Sequence, residues 1–408
     1  MERKLIQLSD VITDIAAGPF GSNLKVSCFV NDGFPIIDGA NLKGFKVTDN
    51  ITKFVTEEKA RSLHRSIAKR GDVVVTISGT LGQIAYISDD SNYEEYLCSQ
   101  RQFRVTFDTT KVYVPYLVFY FHTYEGKHKI LSFANQVGVP ALSQPLKNFR
   151  QISVQLPTLE TQKKIASIVE TINGKIEQNE IINNNLEQQA QAIYRSWFVN
   201  YEPFDGKKPD DWSDGTIDDL GTEIICGKTP STKKSEYYGG NTPFITIPDM
   251  HGCVYIVSTE RYLSYAGVAS QPKKTLPPNT VCVSCIGTAG LVTLVSEESQ
   301  SNQQINSIIP KEGISVYYIY LLMQTLADTI NKRGQSGSTI VNLNKTQFGK
   351  IQVMIPSERV LHDFDSLCRP LFDTILSNQK ENINLSELRD ALLPKLMSGE
   401  LDVSDIEI

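Results

Sequence analysis

Six short polar segments carry residue types that could bind a nucleic acid. They combine Arg and Lys, which suit phosphates and guanine edges, with Asn and Gln, which suit adenine edges. In the first half of the chain the candidate side chains are Lys25, Asn41, Lys43, Lys46, Gln100, Arg101, Gln102 and Arg104. In the second half they are Lys228, Thr229, Ser231, Lys233, Lys234, Gln303, Gln304, Lys332, Arg333 and Gln335. Solvated loops without a ligand have much the same composition, so no single segment identifies a DNA contact.

The remaining reactive residues do not form a catalytic pattern. Cys282 and Cys285 make a CxxC, but there is no second one, and residues three apart on a predicted strand point to opposite faces. The five histidines lie in no metal or nucleophile motif. The sequence has no GxxxxGK[ST], no GxGxxG after a strand, and no (N/D)PP(Y/F) tetrapeptide of an amino-methyltransferase. We therefore predict a non-catalytic chain without a metal site.

An internal repeat supplies a frame for the polar segments. LSDVITDIAAGPFGS (8–22) resembles IDDLGTEIICGKTPS (217–231), and RGDVVVTISGTLGQIAYI (70–87) matches PNTVCVSCIGTAGLVTLV (278–295). CSQRQF (98–103) is aligned with QSNQQI (300–305), and residues 137–157 with 336–356. A duplicated frame whose loops have diverged suits two readers of two different sequences.

Each copy of the repeat ends in a long helical pattern. Residues 157–199 place apolar residues three or four apart from Ile165 to Trp197, which predicts an amphipathic helix of about 60 Å. Residues 357–399 repeat the pattern from Leu361 to Leu396, although Pro370 predicts a kink and Pro394 a weakened last turn. We predict that these stripes face each other and that the helices pair as an antiparallel coiled coil.

The predicted fold class is α+β. Two mixed α/β globules alternate with the two paired helices, and the repeat gives the chain an internal pseudo-twofold. The predicted segments are 1–156, 157–200, 201–355 and 356–408. Within the first globule we expect strands at 73–77, 84–87, 103–107 and 152–156 and a short helix at 114–125, which matches a second one at 316–327.

Composition and charge fit a globular chain of several domains. Its 408 residues are 40% hydrophobic and carry a net charge of −6. The acidity lies mainly in residues 357–408, where 5 Lys and Arg stand against 11 Asp and Glu, whereas residues 1–157 have 18 against 15. Basic patches therefore remain possible on the globules. Seven scattered cysteines, no long apolar run and no signal-peptide core predict a cytoplasmic protein without a membrane span.

Over nearly its whole length the chain resembles the specificity subunit of type I restriction-modification systems. The residues that carry the resemblance are PTLETQKKIASIV (157–169), LSELRDALLPKLMSGEL (385–401), GPFGSNLK, GKTPS, YYGGNTPF and the SGTLG/IGTAG pair. The second junction, PSERVLHDF, lacks the glutamine that the first has at Gln162.

The resemblance implies a mechanism. Each globule would be a target-recognition domain that reads one half of a bipartite site on double-stranded DNA, and the paired helices would set the spacer. Two modification subunits would dock on the repeats and methylate adenine, and restriction/translocase subunits would join them. No cofactor is expected on this chain; S-adenosylmethionine, ATP and Mg are expected on the partner subunits. The alternatives are a coiled-coil scaffold with two protein-binding globules that does not bind DNA, and an enzyme with an unrecognised site.

Overall fold

The computed structural model describes residues 3–135, 139–334 and 342–405. The chain groups into two compact units. Unit 1 comprises Met1–Gly174 and Ser386–Ile408, and unit 2 comprises Lys175–Leu385. Each long helix contributes one part to each unit, so these units differ from the four predicted segments, which remain a prediction about domains.

The described part of unit 1 contains two larger sheets, two two-stranded sheets and several short helices. Its strands are β1 (Lys4–Gln7), β2 (Ile12–Ala17), β3 (Phe29–Val30), β4 (Phe34–Ile37), β5 (Phe54–Val55), β6 (Ile67–Lys69), β7 (Val73–Thr76), β8 (Ile84–Tyr86), β9 (Glu95–Cys98), β10 (Gln102–Phe107), β11 (Ala134–Asn135), β12 (Ala141–Leu142) and β13 (Ser153–Leu156). Its short helices are α1 (Glu57–Ser62), α2 (Val114–His122), α3 (Tyr124–Leu131) and α4 (Pro145–Arg150). The two-stranded sheets are β1-β13 and β11-β12.

The two larger sheets of unit 1 pack against each other, with strand β7 buried on both of its faces. One sheet has the order β2-β10-β7-β8, and the other has the order β3-β5-β4-β9-β6, in which β4 and β9 are parallel. Val73 and Val75 point into the core that includes α2, while Val74 points into a second core between the sheets. A strand that is buried on both faces must be apolar throughout, which explains the run of valines. The predicted mixed sheet is confirmed.

Unit 2 repeats this order of elements. Its strands are β14 (Ser213–Thr216), β15 (Gly221–Cys226), β16 (Tyr238–Ile245), β17 (Tyr255–Ile256), β18 (Tyr262–Leu263), β19 (Thr275–Leu276), β20 (Val281–Ser284), β21 (Val292–Val295), β22 (Ser299–Ser301), β23 (Ile305–Pro310) and β24 (Gln352–Ile355). Its short helices are α6 (Ile217–Leu220), α7 (Tyr265–Ala269), α8 (Val316–Thr325), α9 (Ala327–Gly334) and α10 (Lys345–Gly349). The strand order β15-β23-β20-β21 corresponds to β2-β10-β7-β8, and β18-β16-β22-β19 corresponds to β5-β4-β9-β6; β17 and β3 are additional edge strands. The internal repeat is therefore confirmed.

The two cysteines of the CxxC lie where the repeat places them. Cys282 is on β20 and packs in one hydrophobic cluster, whereas Cys285 packs in another. Both are buried and free. They therefore occupy opposite faces of the sheet, as the strand period requires.

The helix predicted over residues 114–125 is two helices. Thr123 adopts an extended conformation between α2 and α3, and its hydroxyl accepts a hydrogen bond from the Gly126 N–H at 3.1 Å. A threonine that caps the next helix in this way ends the preceding one, although the apolar spacing continues. The counterpart over 316–327 is similarly divided between α8 and α9.

The two long helices are α5 (Leu159–Phe198) and α11 (Glu358–Ser398). In unit 2, Asn179 bonds Asn382 at 2.8 Å, and Asn183 bonds Asn378 at 2.9 Å. Residue numbers thus rise on one helix as they fall on the other, which confirms the antiparallel pairing. In unit 1, α11 likewise returns along α5, with Arg389 donating to Asn173 at 3.0 Å.

The contact between the helices is less apolar than the predicted stripes. Tyr194, Phe198 and Phe364 form an aromatic cluster in unit 2. At the helix middle, however, the fully buried side chain is Asn179, which donates to Glu381 at 2.7 Å as well as to Asn382. Polar side chains take the place of apolar packing there: the Asn179 amide N–H groups are both used as donors, whereas its buried Oδ1 has no hydrogen-bond partner among the described residues.

Helix α11 continues through both of its prolines. Pro370 removes the N–H that would bond the carbonyl of Ser366, four residues earlier. Both residues are exposed, so water can reach that carbonyl. The helix accordingly continues without a break past Pro370 and Pro394. Among the described residues, no helix is long and apolar enough to cross a membrane.

Candidate nucleic-acid interface

Each unit has a place where two loops cross in backbone contact. In unit 1 the Gly18 N–H, just after β2, donates to the Gln102 carbonyl at 2.8 Å. In unit 2 the Gly227 N–H, just after β15, donates to the Ile305 carbonyl at 3.1 Å. A Cβ at Gly18 would overlap the Ser99 carbonyl oxygen, and a Cβ at Gly227 would overlap that of Asn302. Only glycine fits at either crossing.

The strand register fixes which residues of these loops are equivalent. Phe103 pairs with Val75, and Asn306 pairs with Val283. Since Val75 and Val283 are equivalent strand positions, Ser99–Gln102 corresponds to 302–305. The predicted alignment of 98–103 with 300–305 was therefore wrong by one residue. The sequence alignment placed identical residue types together, whereas the strand pairing fixes which positions are equivalent.

The corrected register pairs Gln100 with Gln303 and Arg101 with Gln304. Gln100 lies against the loop after β2, its Oε1 being 2.6 Å from a Cβ built on Gly21. Gln303 lies against the loop after β15 and accepts a hydrogen bond from the Thr229 hydroxyl at 2.7 Å. In each unit the loop after β2 or β15 and the loop before β10 or β23 are thus brought together as one surface.

A glycine turn supports the second pair of side chains. The turns at 78–82 and 286–290 each contain two glycines with positive φ, at 96° and 84° in unit 1 and at 77° and 91° in unit 2. A Cβ on Gly79 would lie 3.8 Å from a guanidinium nitrogen of Arg101, and one on Gly287 would lie 3.5 Å from Nε2 of Gln304. Equivalent backbones therefore present Arg101 in unit 1 and Gln304 in unit 2.

Two further predicted segments lie next to these turns. In unit 1, the Gln83 side chain donates to the Gly39 carbonyl at 3.0 Å, which places the segment that carries Lys43 beside the 78–82 turn. In unit 2, Asn331 donates to the Ala289 carbonyl at 3.1 Å, which places α9 beside the 286–290 turn. The segments that were separate in the sequence form one loop cluster per unit.

Three predicted contact residues are engaged inside unit 1. Asn41 is 4% exposed; its amide donates to the Thr48 and Asn50 carbonyls and accepts from a backbone N–H. Gln102 is 1% exposed and accepts from the Ser99 hydroxyl. Buried amides with satisfied hydrogen bonds shape the loops rather than reach a ligand.

Arg104 is the third of these residues. Its guanidinium donates to the Asp14 carboxylate at 2.7 Å and to the Arg65 carbonyl at 3.0 Å. The hydrogen bond from Arg104 lowers the pKa of Asp14. With 11% of its side chain exposed, Arg104 joins strands β2 and β10 to each other and to the turn at residues 64–66, so it is not proposed as a DNA contact.

The other predicted residues divide by exposure. The exposed ones are Lys25, Lys43, Gln100, Arg101, Lys228, Ser231, Lys233, Lys234, Gln303, Lys332 and Arg333. Lys46, Thr229 and Gln304 are half-buried, and Lys46 lies 3.7 Å from Asp90. Lys234 donates to the Tyr237 hydroxyl at 3.0 Å, which raises the pKa of Lys234. Gln335 lies outside the described residues.

The sequence prediction missed three exposed side chains beside the loop crossings. Phe20, in the loop after β2, is 84% exposed, and Arg65 and Lys273 lie in short turns next to the same loops. A longer repeat alignment would have found the last two, since they share the offset that relates the two glycine turns. Among the described residues, no group of three or more His, Cys, Asp or Glu side chains could hold a metal ion.

Comparisons with known proteins agree on one family. Residues 21–188 and 209–362 match the family described as "Type I restriction modification DNA specificity domain". The chain is 31% identical to the type I restriction enzyme HindI specificity subunit of Haemophilus influenzae, over 82% of this chain and 87% of that one. It is 23% identical to the MjaIX specificity subunit of Methanocaldococcus jannaschii, over 86% and 82%. Among solved structures, it is similar in fold to a type I S subunit from M. genitalium, with a TM-score of 0.60, 14% identity and coverage of 97% and 96%.

Proposed function

Because this chain belongs to the type I restriction modification DNA specificity family, we propose that each of its units reads one half of a bipartite DNA site. Recognition of DNA sequence is the function that this membership gives the chain. The finer proposal assigns the two halves of the site to the two loop clusters. It further holds that the chain itself catalyses no reaction.

The observation that supports this proposal is the pair of loop crossings. Both units hold their loops on the same backbone frame, and both expose polar side chains that can hydrogen-bond base edges. The side chains differ at equivalent positions, as Arg101 and Gln304 do. Arginine suits guanine and glutamine suits adenine, so equal frames with unequal side chains suit two different half-sites.

The contact residues of the proposal are the exposed ones, together with the half-buried Thr229 and Gln304. In unit 1 they are Lys25, Lys43, Gln100 and Arg101. In unit 2 they are Lys228, Thr229, Ser231, Lys233, Lys234, Gln303, Gln304, Lys332 and Arg333. Lysines are assigned mainly to phosphates, and Arg101, Gln100, Gln303 and Gln304 to base edges. The Gln304 amide accepts from Asn302 at 3.1 Å and donates to the Ile286 carbonyl at 3.5 Å, so it must leave these partners to reach a base.

The long helices are proposed to set the spacer and to dock two modification subunits, to which restriction/translocase subunits would add. Outside the paired faces, α5 and α11 expose polar residues along much of their length. S-adenosylmethionine, ATP and Mg are proposed to bind the partner subunits. DNA as the ligand and seven free cysteines favour the cytoplasm as the location.

Methylome sequencing tests the proposal. A host that carries this chain and its modification partner should acquire adenine methylation at one bipartite motif with a fixed spacer, and should lose it when this chain is deleted. Purified mixtures of the subunits should bind the same motif. Absence of sequence-selective binding in every mixture would contradict the proposal and favour a protein-binding scaffold.

The spacer role has its own test. Two helical turns are added within residues 175–190 and two more in the facing part of α11, so that the antiparallel pairing is kept. Each helix then grows by about 11 Å, the length of about three base pairs. The spacer in the methylated motif should lengthen by about that number while both half-sites stay the same. An unchanged spacer would exclude the helices as its determinant.

A further inference from the structure

A second pair of equivalent residues lies beside the loop crossings. The strand register makes Ile67 of β6 equivalent to Thr275 of β19, because each pairs with the strand that runs parallel to β4 or β16. Directly before these residues each unit has a short 3₁₀ turn, His64–Ser66 in unit 1 and Pro272–Lys274 in unit 2. The middle residue of the turn is Arg65 in one unit and Lys273 in the other, and both are exposed.

The two turns are held against the same backbone atom of the frame. In unit 1 the Ser66 hydroxyl donates to the carbonyl of Ala17, the last residue of β2, at 2.9 Å. In unit 2 the Lys274 ammonium donates to the carbonyl of Cys226, the last residue of β15, at 2.8 Å. Different side chains thus tie each turn to the end of the equivalent strand. The turn that carries the exposed cation is therefore tied to the residue before Gly18 or Gly227, where the loop of the crossing begins.

Unit 2 adds a second tie between the turn and the loop. Gln271 is 6% exposed and donates to the Lys228 carbonyl at 2.7 Å and to the Gln300 side chain at 2.8 Å. In unit 1 the Arg65 carbonyl accepts the Arg104 guanidinium, which also holds Asp14. Both turns are therefore anchored by their backbones or by neighbouring residues, and the Arg65 charge also acts on the nearby Asp14 carboxylate.

The retained charge contrasts with the diverged residues around it. At neighbouring positions of the repeat, Phe20 of unit 1 is equivalent to Thr229 of unit 2, and Arg101 is equivalent to Gln304. Residues that read different bases must differ between the units, whereas phosphates are the same in every sequence. Both copies keep a long cation at this position, although the exposed side chains around it differ. Such a cation therefore fits the phosphate backbone, which both half-sites share.

We infer that Arg65 and Lys273 are phosphate-binding residues that position each unit on the DNA backbone. The inference rests on the proposed function, because it requires DNA to approach the two loop crossings. Neither residue contributes to sequence choice; each adds one cation–phosphate contact whose strength falls as salt displaces it.

The test measures salt dependence in the full-length chain within its purified complex. Duplexes carry either the motif found by methylome sequencing or the same motif with one half scrambled. Arg65→Ala and Lys273→Ala should each reduce the slope of log affinity against log salt by about 0.9, and the double variant by about 1.8. The loss should be equal on all duplexes. Arg65→Lys and Lys273→Arg, which exchange the two cations, should keep the original slope.

Lys4→Ala and Lys207→Ala are the matched controls, since both are exposed lysines away from the loop clusters. They should leave the slope unchanged. The inference is overturned if the Arg65 and Lys273 variants keep the original slope, if their effect depends on the base sequence, or if the controls lose as much. In each of these cases the unaltered complex still prefers its motif, so the proposed function survives. An unaltered complex without any preference would instead contradict the proposed function itself.

Discussion

The loop clusters of units 1 and 2 have the same backbone and different side chains. Gly18 and Gly227 each bring a loop into backbone contact with its neighbour, and the glycine turns at 78–82 and 286–290 have the same sign of φ. On these equal frames stand Arg101 and Gln304. Where two backbones approach closely, as at Gly18 and Gly227, only glycine fits, whereas the exposed side chains can change with the ligand.

Exchange of a whole reading unit has the largest expected effect. If residues 1–156 are replaced by those of another family member, one half of the methylated motif should change completely, because all loops of that cluster are replaced. The other half should stay the same, because unit 2 keeps its own loops. Methylome sequencing provides the measurement, and a change in both halves would show that the clusters do not act separately.

Glycine substitution at the loop crossings should be the next largest effect. In Gly18→Ala and Gly227→Ala, the new Cβ meets a backbone carbonyl that cannot move without displacing the reading loop. We expect a loss of roughly 1–3 kcal/mol in the free energy of unfolding. Each variant should also weaken binding at its own half-site only, as measured on duplexes in which one half is scrambled.

Gly174→Ala is the control for these variants. A Cβ at Gly174 meets no atom within 4 Å, and alanine is the better residue in the middle of a helix. It should raise the free energy of unfolding by up to about 1 kcal/mol. Equal weakening of both half-sites by Gly18→Ala would mean that the crossing stabilises the whole chain rather than one reader.

Exchange of the diverged side chains should act on single bases. Arg101→Gln gives unit 1 the side chain of unit 2, and Gln304→Arg does the reverse. Each should shift the preference at one base pair by about 1–3 kcal/mol, from guanine toward adenine or the opposite. Affinity measured over all four bases at each position gives the answer. A uniform loss at every position would assign these residues to phosphates instead.

The smallest expected difference is in the response to pH. His122 in α2 lies 2.8 Å from the Ile84 carbonyl oxygen, and burial lowers the pKa of His122 below its ordinary value of 6.5. Its counterpart in α8 is Gln324, which does not titrate. Because the unfolded chain then binds the proton more tightly, unit 1 should lose stability as the pH falls from 6.5 toward the lowered pKa.

Hydrogen exchange at pH 7.5 and pH 5.5 would measure this difference. After correction for the intrinsic exchange rate at each pH, the protection of amides in the unit 1 core should fall at the lower pH by more than that of amides in unit 2. His122→Gln, which supplies the side chain of unit 2, should reduce the difference. If that variant leaves the response of unit 1 unchanged, the sensitivity belongs to its carboxylates.

Much of the frame follows from patterns that are local or repeated. The spacing of Ile165 and its successors predicts α5, and the match of SGTLG with IGTAG predicts two equivalent turns. The alternation along β20 places Cys282 and Cys285 on opposite faces. Such features are readable because the backbone period alone decides them. The structure brings the predicted polar loops of each unit together, while their contact with DNA stays a prediction. Arg65 and Lys273 were not among the predicted residues because the repeat alignment was not extended to them.

The duplication, the two long helices and the polar loops could be predicted from the sequence alone, since repetition and periodicity need no knowledge of distant contacts. The folded structure was needed to show that Asn41, Gln102 and Arg104 are engaged internally and that Asn179 is fully buried between helices. It alone corrected the register of the reading loops by one residue. The physical reason is that burial and hydrogen-bond partners come from residues far away in the chain, and the same polar letter can satisfy a neighbour or await a ligand.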